Sequence, residues 1–220
     1  MSRKLIVFDC DGVLTNAESS WGFLHKYFGS GDNKYFAELY RRGLISYLDW
    51  MIIDVALMIH SRGAPIKRSE VEEALRSIEV KREAYVVVNE LKKRGHEVAV
   101  VSSGVDLLVQ RVCHELGINI CLYNELVFAG DELIPGGVAR VPLRDKSTII
   151  KRLASDLGFK LDDVVYIGDS SWDIEVFKAI PTSIAIMPCG EACKYAKYTI
   201  ENLLELLDII DKLELLEHRV

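Results

Sequence analysis

The 220-residue chain has no internal repeat, no low-complexity stretch and no long apolar run. Its longest such run, Met51 to Ile59, is broken by Asp54 and falls well short of the roughly 20 residues a membrane-spanning helix needs. No leader precedes the first strand-like run, so the expected location is cytoplasmic, with no membrane partner. Positive charge is also scarce: the net charge is -6 and the pI about 5.5. The basic stretches (Arg41 and Arg42, Lys67 and Arg68, Lys92 to Arg94) are short and scattered, as on solvated helix faces, which excludes a nucleic-acid partner. The five cysteines include one close pair, Cys189 and Cys193, without matching His or Cys neighbours, so a zinc motif is excluded. They are expected as small buried hydrophobes. With half its residues apolar, the chain has the makings of one filled core plus a small accessory domain, and disorder is excluded.

Against that background, helix and strand patterns alternate downstream of residue 80. The spacing predicts a helix over 81–94 ended by Gly95, a strand over 97–101, a helix to Leu116 stopped by Gly117, and a strand over 119–123. A hairpin-like excursion follows around Ala129 to Asp131 and Pro135 to Gly137. A helix from Lys146, a strand over 164–167, a helix after Asp169, a strand over 183–187 and a terminal helix from Glu201 complete the series. With the apolar run Leu5 to Phe8 as a first buried strand, this is an α/β pattern: a doubly wound, mainly parallel, Rossmann-like sheet. Residues 16–79 carry only helical periodicities, so they read as an inserted helical cap domain, with 1–15 and 80–220 as the core. The leucines of the terminal helix are expected to cover the sheet; a monomer and a homodimer both remain open.

Four patches carry chemistry. In Asp9-Cys10-Asp11-Gly12-Val13-Leu14-Thr15, two carboxylates meet at a strand's carboxyl end, where α/β sheets bind ligands. One can attack an electrophile while the other handles a proton. In Ser102-Ser103-Gly104, hydroxyls and backbone N–H groups face an anion, unless a serine simply caps the helix. Lys146 starts a helix, where its charge opposes the helix dipole but is well placed to hold a phosphate. In Gly168-Asp169-Ser170-Ser171-Trp172-Asp173, a strand again ends in aspartate, with a second one a helical turn later. Asp9, Asp169 and Asp173 thus fit a hard-cation site such as magnesium. Taken singly, the patches also read as a turn, a cap, a solvated lysine and a Gly-Asp turn.

In this order the four resemble the haloacid dehalogenase superfamily over almost the whole chain, in its phosphatase branch. The resemblance implies Asp9 as nucleophile and Asp11 as general acid/base. It implies Ser102, with Ser103 and Gly104, and Lys146 as phosphate binders, and Asp9, Asp11, Asp169 and Asp173 as the Mg2+ set. The implied substrate is a small phosphorylated metabolite. The core segments and the cap's position are similar to phosphoserine phosphatases, whose substrate-binding glutamate falls at Glu18. That family's substrate-binding arginine falls at Asp54, a glycine at Ser103 and an asparagine at Trp172. Glu18, Tyr47 and Asp54 are therefore the candidate substrate residues on the cap, suited to a cationic leaving group if they face the pocket. A cap helix that sets Asp54 at its wet edge is the other reading. Asp11 to Thr15 and a helical cap are also similar to β-phosphoglucomutase, so a phosphosugar mutase stays as an alternative, as does a non-catalytic phospho-ligand binding protein.

Overall fold

The computed structural model describes residues 3–31 and 33–217. Strand β1 (Leu5–Phe8) is flanked on one side by β2 (Glu97–Val105) and β3 (Ile120–Asn124), and on the other by β6 (Val164–Gly168), β7 (Thr182–Ile186) and β8 (Tyr198–Ile200). The sheet order is β3-β2-β1-β6-β7-β8, and each of these pairings is parallel. A small antiparallel hairpin of β4 (Phe128–Ala129) and β5 (Glu132–Leu133) stands apart, at the excursion expected from its turn residues.

Alternation along the strands divides the core between two faces. Ile6, Phe8, Val98, Val100, Val165 and Ile167 point to the side covered by α5 (Arg82–Lys93), α6 (Asp106–Leu116) and α9 (Glu205–Glu217). Leu5, Val7, Ala99, Val101 and Tyr166 point to the side covered by α7 (Lys146–Asp156) and α8 (Ile174–Ala179). The stripe Leu203, Leu206 and Ile210 is buried in the first core, so the terminal helix does cover the sheet.

Between β1 and α5 lie four helices: α1 (Ser20–Phe28), α2 (Lys34–Arg41), α3 (Tyr47–Arg62) and α4 (Arg68–Arg76). Leu24 of α1, Val55 and Met58 of α3 and Leu75 of α4 join the first core. The outgoing and returning chain run side by side at a Thr15–Val80 bridge, where Lys81 N donates to Leu14 O (2.9 Å).

Several expectations shift. Strand β2 does not stop at Val101 but continues to Val105, with its register on β3 slipping between the two. Strand β8 is too short to leave a period in the sequence and lies where the lead into the terminal helix was expected; that helix starts at Glu205, not Glu201. Four cysteines are paired, not free hydrophobes: Cys113 with Cys121 and Cys189 with Cys193, at Cα separations of 6.7 and 5.3 Å that suit a disulfide, while Cys10 is free and buried. No helix among the described residues is long and apolar enough to cross a membrane.

Candidate active site

The strand order turns over beside β1, because the chain leaves β1 for β2 and β3 and later returns to β6 on its other side. A cavity of about 1230 Å3 opens at the carboxyl ends of these strands, where an open α/β sheet takes its ligand. Asp9, Asp11, Ser102, Ser103, Gly104 and Asp169 all line it.

Asp9 extends β1 by one residue, its N–H donating to Ile167 O (2.9 Å), and is 7% exposed. Its Oδ1 accepts from Cys10 N (2.7 Å) and its Oδ2 from Lys146 Nζ (2.6 Å). Lys146, 1% exposed, is no solvated lysine: the first turn of α7 aims it inward, where it also donates to Asp173 Oδ1 (2.9 Å) and reaches Tyr166 Oη (3.2 Å). Burial opposes its charge, but Asp173 and Asp9 outweigh that and hold it protonated well past the usual lysine range. Burial likewise raises the Asp9 carboxyl, with Lys146 pulling the other way.

Asp173 is fully buried and receives five hydrogen bonds. Tyr166 Oη (2.6 Å) and Lys146 donate to Oδ1; Asp169 N, Ser170 N and Ser170 Oγ, at 3.1 to 3.2 Å, donate to Oδ2. Burial works against its ionisation, yet Lys146 and these donors hold the carboxyl below its ordinary value. Asp169 has no such company. Burial, then the charges of Asp9 and Asp173, push it up to about 8.

Carboxylate oxygens of Asp9, Asp169 and Asp173 lie within 4.8 Å of one another. An all-oxygen set whose least compensated member resists ionising without a cation fits magnesium. Asp9 and Asp169 would hold the ion directly. Asp173 can do so only by giving up donors that now saturate its oxygens, so its clearest task is to fix Lys146 and the Asp169 turn. Gly12 permits the close packing of these two loops: its φ is +71°, and an added Cβ would sit 1.9 Å from Asp169 Oδ2.

The Asp11 carboxylate stands outside the triplet. Its Oδ2 accepts from Ser20 N (2.7 Å) and Ser20 Oγ (2.6 Å), at the amino end of α1. Burial pushes it up to about 6 in spite of those bonds. Gly104 is required here too, because a Cβ would meet Ser20 Oγ at 2.9 Å and Asp11 Oδ2 at 3.0 Å. Neither serine caps α6, whose capping residue is Val105. The Ser102 hydroxyl accepts from Gly104 N (3.1 Å) and borders the cavity, whereas Ser103 Oγ is turned away, donating to Val141 O (2.7 Å). The Ser103 carbonyl instead gathers Trp21 Nε1 (3.1 Å), Tyr47 Oη (2.9 Å) and Asn124 Nδ2 (3.0 Å).

Of the cap candidates, Glu18 and Asp54 line the cavity. Tyr47 does not; it is buried behind the wall on Ser103. Asp54 is not at a wet edge: it is 5% exposed, its Oδ1 3.2 Å from His25 Nε2. Sequence reasoning missed His25, Ser20, Tyr166 and Lys81, whose Nζ donates to Gly12 O (2.6 Å). Tyr166 alone left a signal, a phenol inside an otherwise aliphatic buried strand.

A doubly wound sheet with paired aspartates, a buried lysine and an oxygen cation site at its strand ends defines a phosphoryl-transfer enzyme of the α/β class. A family model described as haloacid dehalogenase-like hydrolase matches residues 3–180, and the chain belongs to that family. It is 30% identical over 185 residues to a phosphoserine phosphatase of Methanocaldococcus jannaschii, covering 83% of this chain and 85% of the relative. It is 32% identical over 176 residues to one of Archaeoglobus fulgidus, which covers 78% of this chain but only 48% of that longer relative. A substrate-bound phosphoserine phosphatase structure superposes with a TM-score of 0.80 at 26% identity, over 95% of this chain and 99% of the other. The chain is accordingly a phosphatase of the haloacid dehalogenase type, and the mutase alternative is not favoured.

Proposed function

We propose that the protein hydrolyses a small phosphomonoester, with Asp9 as nucleophile and Asp11 as proton carrier. The observation that carries this reading is the division of labour between the two carboxylates. Asp9 is charge-paired to Lys146 at 2.6 Å in the strand-end cluster, while Asp11 is held apart by Ser20 and titrates at about 6. A group titrating there can give a proton to a leaving alkoxide and later take one from water near neutral pH.

Asp9 attacks phosphorus as the ester P–O bond breaks, and Asp11 protonates the departing oxygen. Asp11 then deprotonates a water that attacks the phosphorus of the aspartyl phosphate, restoring Asp9 and releasing inorganic phosphate. Lys146, Ser102 Oγ and the backbone N–H groups beyond β1 stabilise charge on the phosphoryl oxygens. Asp9 and Asp169 would hold magnesium, which when bound would supply further electrostatic stabilisation of that charge. Residues 16–79 act as a cap whose closure excludes bulk water.

The test is phosphate release from a panel of phosphomonoesters, with and without magnesium, by the wild type and Asp9→Asn. Magnesium-dependent turnover lost in a folded Asp9→Asn supports the assignment. Substantial residual turnover in that variant sinks it.

A further inference from the structure

Three buried polar atoms on the cavity's helical wall, His25 Nε2, Trp50 Nε1 and Asp54 Oδ1, meet only one another, His25 and Trp50 both being turned to the Asp54 carboxylate without a well-aligned hydrogen bond. Such groups are costly unless something meets them. His25 is held by Ser30, whose Oγ lies 2.6 Å from Nδ1, and this turns Nε2 to the Asp54 carboxylate at 3.2 Å.

The placement of this trio is set by the helices that carry it. Trp21 and Tyr47 hang on the Ser103 carbonyl beside the phosphate-binding end. His25 lies four residues beyond Trp21 on α1 and Asp54 seven beyond Tyr47 on α3, about 6 and 10 Å along the two axes. The phosphoryl end, with Asp9 and Ser102, and the trio line one cavity of about 1230 Å3, which has room for a short alcohol between them.

We infer that His25, Trp50 and Asp54 form the leaving-group subsite, and that it takes an amine-bearing alcohol without a carboxylate. The inference rests on the phosphatase reading above. A buried carboxylate beside the Trp50 indole, with Glu18 on the same wall, attracts an ammonium. No arginine is among the residues that line the cavity; of its three lysines, Lys26 and Lys34 are exposed, and Lys81 is engaged at the phosphoryl end by the Gly12 carbonyl (2.6 Å). A substrate carboxylate directed at the trio would meet Asp54 head on, a like-charge contact that rejects it. Burial already raises the Asp54 carboxyl, a cost that an approaching ammonium removes.

The experiment compares phosphoethanolamine, phosphoserine and glycerol phosphate at saturating magnesium. In the wild type, kcat/KM is expected to be at least about tenfold higher for phosphoethanolamine than for phosphoserine. Asp54→Asn should shrink the ratio of phosphoethanolamine to glycerol phosphate by about tenfold, mainly through KM, and Asp54→Arg should turn the order toward phosphoserine. Equal or better wild-type use of phosphoserine overturns the inference, as does an unchanged ratio in Asp54→Asn. If the Asp54 variants do not fold, two measurements decide: the wild-type order, and the rise in Tm of Asp9→Asn with each ester. No turnover of any ester overturns the phosphatase reading itself, which is a different result from turnover with the wrong preference.

Discussion

Magnesium binding should release a proton, because Asp169 is held up to about 8 by burial and by Asp9 and Asp173 while no cation compensates it. At pH 7 a group of that pKa is protonated in about nine molecules of ten, and at pH 9 in about one of ten. The ion must displace that proton, so its apparent affinity at pH 7 is lowered about tenfold, or about 1.4 kcal/mol, relative to its value well above pH 8. Asp9, raised by burial, adds to the release in the same direction. Calorimetric titration with magnesium in two buffers of different ionisation enthalpy counts the protons directly. The expected count is about 0.9 from Asp169 at pH 7, falling to about 0.1 at pH 9, and Asp169→Asn should remove most of it at pH 7. A heat independent of buffer at pH 7, with magnesium bound, would refute the reasoning.

Lys146→Met leaves Asp9 and Asp173 without the ammonium now 2.6 and 2.9 Å away. Urea unfolding at pH 7 without metal should show a loss of about 3 to 5 kcal/mol, smaller toward pH 5 as Asp9 takes up a proton; a loss under about 1 kcal/mol would contradict the pairing. Gly12→Ala combines a φ of +71° with a Cβ 1.9 Å from Asp169 Oδ2, so Asp169 must move. Magnesium titration should give an affinity at least about tenfold weaker, and an unchanged affinity would show that the two loops need not pack closely. His96 is buried, accepts from Lys4 N at Nδ1 (3.3 Å) and sits 3.2 Å from Glu214 Oε1; burial lowers its pKa despite Glu214. The unfolded chain therefore binds a proton that the folded one refuses, so this contribution is complete above about pH 6.5 and is lost as pH falls from there through the lower folded value. The difference in unfolding free energy between wild type and His96→Gln, followed from pH 7.5 to 5.5, should narrow; a difference independent of pH would exclude this role.

The core of the site was legible because its residues sit at fixed distances from the ends of apolar runs. Leu5 to Phe8 and Val164 to Ile167 announce buried parallel strands, and whatever follows such strands in a doubly wound sheet is carried to one edge. That places Asp9 and Asp169, while their roles, and that of Ser102 inside the longer β2, needed the four patches together and the family they resemble. The Ser103 hydroxyl was misjudged since its partner, the Val141 carbonyl, lies 38 residues away in a segment without periodicity. The Asp54–His25 contact was equally out of reach, because it depends on how α1 docks against α3 and not on the spacing within either helix. The disulfides were missed for a related reason: Cys113 ends up beside Cys121 only once α6 has folded back along β3.

One atom joins the legible half of the site to the other. The Ser103 carbonyl has two lone pairs and three donors: Trp21 and Tyr47 come from the helical segment and Asn124 from β3. Asn124 is further fixed by Val141, through Nδ2 to its carbonyl (3.1 Å) and Oδ1 from its N–H (2.8 Å), so it stays with the sheet. A cap that lifts would withdraw the indole and phenol but leave the carbonyl a partner, sparing the roughly 1 to 3 kcal/mol that an orphaned buried acceptor costs. Trp21 and Tyr47 would meanwhile become accessible to water, which meets their polar tips equally well. On the proposed cap motion, surplus donors at this position would let the joint between cap and sheet open without loosening the strand ends that hold Asp9, Lys146 and Asp173 in place.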